Sequence, residues 1–220
     1  MFIKEYISDD IPTLDKDRSF LFSMTLMDEL KISCLPVVEG GVYKGLLPED
    51  IVYELDLFSQ SIRECEHLLK PISLTDDKTI FDALNIFVQE KTDLIPVIDN
   101  NERYLGVISQ SGLLKALSNL TASEYEGRTL ILTMNYNDLH ISEIAKIIED
   151  EDANIINLFV QPLPQSTEIN VIIKINKIDL SRIEKSLQRH NYKIAFLLQN
   201  EEEDESLALK YDLFMKYLNL

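Results

Sequence analysis

The sequence predicts a mixed α/β and α+β chain in which one small α/β unit occurs twice and is followed by a domain of order β-α-β-β-α-β. Three observations predict it. A block of residues recurs at a fixed shift, each copy alternates helical with strand periodicity, and the pattern changes after residue 122.

The repeat starts with Thr13, Leu14, Asp15, Lys16, Asp17, Arg18, Ser19 and Phe20. They align with Ser73, Leu74, Thr75, Asp76, Asp77, Lys78, Thr79 and Ile80 at a shift of 60. At the same shift Lys31, Pro36 and Val37 meet Lys91, Pro96 and Val97 inside a matching apolar run. One inserted residue then moves the shift to 61, where Tyr43, Gly45, Leu46 and Leu47 meet Tyr104, Gly106, Val107 and Ile108.

Within each copy, Phe20, Met24, Met27 and Leu30, and likewise Ile80, Leu84 and Phe87, mark one face of a helix. Residues 35–38 and 95–98 are buried strands that start at, or bend at, their proline. Gly40 and Gly41, and Asn100 and Asn101, are hairpin-turn residues leading to a second strand and a second helix. The units are set at residues 1–60 and 61–122.

Beyond the polar stretch that ends near Gly127, residues 129–134 read as a strand, and Ile141, Ile144, Ala145 and Ile148 as a helix. Residues 155–160 and 169–175 read as strands around Pro162, Leu163 and Pro164. Ile178, Ile183 and Leu187 give a second helical stripe, and residues 192–198 a last strand. That order, over 127–200, is the ferredoxin-like plan. Residues 201–205 are all acidic and must be solvated. Leu207, Tyr211, Phe214, Tyr217 and Leu218 mark an amphipathic helix that needs a cover, from its own domain or across a dimer interface.

Composition narrows function. A chain of 220 residues, 45% hydrophobic and 27% charged, has the apolar content for real cores. Its net charge of -17 opposes phosphate backbones and anionic leaflets, so neither nucleic acid nor membrane is an expected partner. Cys34 and Cys65 lack any disulfide or CxxC pattern, and residues 1–6 lack a basic-then-apolar leader, which together predict a cytoplasmic protein. His67, His140 and His190 lack metal spacing, and Gly40-Gly41 belongs to a hairpin rather than a phosphate loop, so no enzyme is expected.

Residues 1–120 resemble a pair of CBS domains, carried by residues 35–38 and 95–98 and by the Gly-apolar-apolar strands at Gly45 and Gly106. The C-terminal domain resembles an ACT-type domain, and the whole is similar to AcuB-type acetoin-utilisation proteins. The resemblance implies a regulatory homodimer that senses an adenosine-containing ligand (AMP, ADP, ATP or S-adenosylmethionine), requires no cofactor and acts on a downstream protein. It implies ligand contacts at Ser33, Cys34, Leu35 and Pro36, and at Asp93, Leu94, Ile95 and Pro96, with Asp50 and Ser109 from the family's Ser/Thr-x-x-Asp element.

That element departs from the family pattern twice. Pro48 replaces the first hydroxyl, and Gly112 stands where the second carboxylate belongs. Asp50 is therefore either a ribose acceptor or a charge on a first helical turn, and Ser109 either faces phosphate or caps a helix. Lys31 and Lys91 either approach an anion or cover apolar surface. Residues 135–140 contain no glycine, unlike ACT domains that bind amino acids through backbone N–H groups. Two alternatives stay open: a ligand-free interaction scaffold, and amino-acid sensing by the C-terminal domain.

Overall fold

The computed structural model describes residues 1–54 and 60–197, so Leu55, Leu198, the acidic run and the proposed terminal helix lie outside the described residues. The chain divides into two compact units at Leu120/Thr121.

In the first repeat, α1 (Phe20–Leu30) begins where the Ser19 hydroxyl accepts from Phe22 N, and ends at Lys31 in the left-handed conformation. Strands β1 (Cys34–Glu39) and β2 (Val42–Pro48) form an antiparallel hairpin, followed by α2 (Glu49–Glu54). The second repeat has a short β3 (Leu74–Thr75), then α3 (Ile80–Glu90), which is started by a Thr79/Asp82 capping box and again ended by a left-handed lysine, Lys91. Hairpin β4 (Leu94–Ile98) and β5 (Tyr104–Ser109) leads to α4 (Gln110–Leu120). Both hairpins carry a bulge at the same place, Val37/Val38 and Val97/Ile98.

Neither proline begins its strand. Pro36 pairs with Leu46 two residues into β1. Its carbonyl accepts from Leu14 N at 2.8 Å, so its ring nitrogen also faces Leu14, away from β2, and the ladder loses no donor.

Phe20, Met27, Leu35, Val37 and Leu47 form one core, and Ile80, Phe87, Ile95, Val97 and Ile108 the other. Each core is completed by a segment from elsewhere in the sequence. Ile3, on a 3-10 turn at Ile3–Tyr6, fills the second core, while Ile62 and Cys65 from the turn Ile62–Leu68 fill the first. Backbone bonds seal both exchanges: Ser8 pairs with Val107 (2.8 and 2.9 Å), and Lys70 with Leu46 (2.8 Å each way). Gly106 and Gly45 allow these close approaches, since a Cβ at Gly106 would lie 2.6 Å from Ser8 O, and one at Gly45 2.6 Å from Leu69 Cβ.

The second unit is a four-stranded antiparallel sheet in the order β7-β8-β6-β9. Its strands are β6 (Arg128–Asn135), β7 (Ile155–Pro162), β8 (Glu168–Ile175) and β9 (Lys193–Leu197), with α5 (Ile141–Glu149) after β6 and α6 (Ser181–Arg189) after β8. This is the ferredoxin-like arrangement. Leu130, Leu132, Val171 and Ile173 pack against Ile144, Ile148, Ile183 and Leu187. Ile178 is not on the helical stripe: α6 starts three residues later, leaving Ile178 in the preceding loop at 64% exposure, while Leu180 is buried.

Candidate functional site

Strand alternation sorts the expected contact residues between two environments. Leu35 and Ile95 point into their own cores and are fully buried. Cys34 and Leu94, one residue earlier, face the junction between the repeats and pack there with Leu46 and Val107. Pro36 and Pro96 are buried opposite Leu46 and Val107.

The junction is stitched by equivalent positions of the two repeats. Ser33 donates to Asp93 Oδ2 from its backbone N at 2.7 Å and from its hydroxyl at 2.6 Å. Thr92 Oγ1 donates to Leu94 O at 2.8 Å, leaving the Cys34 thiol, 3.2 Å away, to donate to Thr92. Burial, the largest effect, pushes that thiol upward, and Cys34 packs in the junction as a buried thiol. The hairpin tips join through Tyr43 N to Glu102 O and Tyr104 N to Gly41 O, each at 3.0 Å.

Beside this junction lies a cleft of about 310 Å³. The first repeat contributes Ser33, Cys34, Pro48 and Asp50 to it, and the second repeat Lys70, Lys91 and Thr92. Asp50 Oδ1 accepts from Ile51 N at 2.8 Å, so it does charge the first turn of α2. Its Oδ2 remains on the cleft, 3.7 Å from Lys70 Nζ. Ser109 caps α4, accepting from Gly112 N at 3.1 Å, and its hydroxyl is also 2.9 Å from Ser111 Oγ. The two repeat lysines part company: Lys31 pairs with Asp28 at 2.9 Å, whereas Lys91 lines the cleft.

The matched tyrosines differ too. Tyr43 donates to Ile72 O at 2.6 Å, and burial pushes its hydroxyl upward. Tyr104 OH is buried without a hydrogen-bond partner among the described residues, and burial pushes it up to about 12. Nothing in the sequence marks Lys70, Thr92 or Ile72 as a site residue. Tyr43 is marked by its match to Tyr104, whereas Lys70 precedes the matched block that starts at Ser73, where nothing marks it. No group of three His, Cys, Asp or Glu side chains gathers to hold a metal among the described residues, and none of their helices is long and apolar enough to cross a membrane.

The CBS-domain family model matches residues 3–55 and 65–119. The chain carries two CBS domains in tandem. An uncharacterized protein of Methanocaldococcus jannaschii is 24% identical over 110 residues, covering 50% of this chain and 37% of that protein, so the match spans little more than a third of its length. Among solved structures, a CBS domain pair/ACT domain protein from Thermotoga maritima is similar at 22% identity and a TM-score of 0.49, over 55% of this chain and 98% of that one. CBSX2 in complex with AMP is similar at 16% identity and a TM-score of 0.47, over 54% and 97%.

Proposed function

We propose that the CBS pair is a non-catalytic sensor that binds an adenosine-containing ligand in the cleft between its two domains. The cleft itself carries this reading. It is built from both CBS domains, and it sets a carboxylate, Asp50, beside an ammonium group, Lys70, at a size that admits a nucleoside. Asp50 would accept ribose hydroxyls, and Lys70 and Lys91 would face phosphate. Glu49, Asp50 and Glu90 outnumber those two lysines, so one phosphate is tolerated better than three, and AMP or the sulfonium of S-adenosylmethionine is favoured over ATP. The regulatory role, a cytoplasmic homodimer and transmission to a downstream protein belong to the same reading.

Calorimetric titration of the full chain with AMP, ADP, ATP and S-adenosylmethionine tests it. Asp50→Ala removes charge-assisted bonds of about 1.5–3 kcal/mol and weakens binding by roughly 10- to 100-fold. No heat and no thermal stabilisation at millimolar ligand overturns the reading in favour of a ligand-free scaffold.

A second reading assigns ligand binding to an ACT-like C-terminal domain. A recess of about 330 Å³ between Asn135–Asn137 and Ser166–Ile169 favours an amino acid there. An amino-acid titration that gives heat with the full chain and loses it in Asn135→Ala separates this reading from the first.

A further inference from the structure

The repeat lets the two sides of the CBS junction be compared position by position. Leu46 and Val107 are matched in the two hairpins, and each is paired through its backbone with a segment from outside its hairpin. Leu46 exchanges both bonds with Lys70, at 2.8 Å each way, and Val107 does the same with Ser8, at 2.8 and 2.9 Å. Lys70 and Ser8 therefore occupy the same post in the two halves. Three residues separate Lys70 from Leu74, which pairs in parallel with Val97, whereas five separate Ser8 from Leu14, which makes the matched bridge to Val37. The N-terminal connection is thus two residues longer, and Asp9 and Asp10 directly follow the post.

The added length changes the chemistry at that post. Lys70 lines the cleft with its ammonium 3.7 Å from Asp50 Oδ2. Ser8 instead donates to Asp10 Oδ2 at 2.7 Å and accepts from Asp10 N at 3.0 Å, so its hydroxyl is spent within its own turn. Asp50 is matched by Ser111, whose hydroxyl lies 2.9 Å from Ser109 Oγ, and Thr92 by Ile32, which packs on the apolar junction. Lys91 is matched by Lys31, which Asp28 holds at 2.9 Å. Glu49 and Glu90 are matched by Gln110 and Leu30, so the two sides differ less in total charge than in where it stands. The tyrosines register the same displacement. Tyr43 reaches Ile72 O, two residues beyond Lys70, at 2.6 Å, but no carbonyl of the longer connection meets Tyr104 OH, which is buried without a hydrogen-bond partner among the described residues.

We infer that the CBS pair takes one phosphate-bearing ligand per chain, selected by Lys70, and that the acidic Asp9-Asp10 insertion closes the matched side of the junction to such a ligand. The inference rests on the cleft reading proposed above and adds which half binds, and why. A phosphate gains a charge-assisted bond only where an ammonium stands within hydrogen-bonding reach, and a ribose gains its acceptor only where a carboxylate does. The Lys70 side supplies both. The Ser8 side has lost both, and it presents two carboxylates where the ammonium would stand, which repel an approaching anion. Lys70 is thus the specificity-determining residue of the pair, and the two repeats, equivalent in fold, have separated into a binding half and a closed half.

Calorimetric titration of the full chain with AMP counts the sites. Expected is one equivalent per chain, with affinity lowered at least about tenfold by Lys70→Ser, restored to within about threefold by Lys70→Arg, and changed less than about twofold by Ser111→Ala. Lys70 holds Leu46 through backbone atoms, so these side-chain changes leave that pairing in place, and circular dichroism checks the fold. Two equivalents per chain, a single one indifferent to Lys70→Ser, or an equal loss in Lys70→Arg each overturn the inference and leave the sensor reading standing. No heat with the unaltered chain overturns both. A graft gives a second measure: deleting Asp9 and Asp10 together with Ser8→Lys and Ser111→Asp creates a second equivalent. A folded graft that still binds one equivalent overturns the role given to the insertion.

Discussion

Gly106→Ala should destabilise the CBS pair far more than Gly40→Ala, although both glycines sit at positive φ in equivalent hairpins. At Gly40, φ is +59° and a new Cβ meets nothing within 4 Å. The cost there is the left-handed backbone alone, about 1 kcal/mol. At Gly106, φ is +140° and the Cβ would lie 2.5 Å from Ile7 Cγ2 and 2.6 Å from Ser8 O. The isoleucine can rotate, but the Ser8 carbonyl is held by Val107 N at 2.9 Å, with Val107 O accepting from Ser8 N at 2.8 Å. Relieving the clash means pushing the N-terminal segment off β5. Two backbone bonds at about 1 kcal/mol each and about 1–2 kcal/mol of residual strain sum to roughly 3–4 kcal/mol. Urea unfolding followed by far-ultraviolet circular dichroism reads the difference, and hydrogen exchange at Ser8 and Val107 locates it. Equal midpoint shifts for the two variants would refute the claim that Gly106 is there for close approach.

Other outcomes follow from the junction and the caps. Ser33→Ala and Asp93→Ala should couple by about 1–2 kcal/mol in a double-mutant cycle of unfolding, whereas additivity would mean that the 2.6 Å bond contributes nothing across the repeats. Tyr43→Phe should destabilise by about 1 kcal/mol by orphaning Ile72 O, while Tyr104→Phe, which removes an unpartnered hydroxyl, should be neutral or stabilising by up to about 1 kcal/mol in thermal unfolding. Asp99 is held below the usual carboxylate range by bonds from Arg103 N, the larger effect, and Asn101 N. Its folded pKa being lowered, the unfolded chain binds more protons in that window, so its stabilisation is full above the ordinary carboxylate value and lost as pH falls through the folded one. Asp99→Asn should therefore flatten the acid limb of a stability-versus-pH curve without changing its shape near neutrality.

The order of elements was legible in the sequence because periodicity and turn chemistry are local. Phe20, Met24 and Met27 announce α1, Gly40 and Gly41 announce a hairpin, and the β-branched run near Ile172 announces a strand. The repeat itself is a property of residue order, and it located both CBS domains before any coordinates. What the sequence could not decide is which face each residue takes and which distant segment meets it. Whether Leu35 or Cys34 looks into the cleft depends on pleat and register, and a one-residue step reverses the answer. That Ile3 completes the core of the second repeat, that Asp93 receives Ser33, and that Lys70 arrives beside Asp50 all join residues at least 20 positions apart. Such pairings leave no periodic trace, because long-range packing and close backbone approach bring them about. Local order determined the elements of this protein, and only the tertiary structure decided how two repeated halves meet to make a cleft whose sides are no longer equivalent.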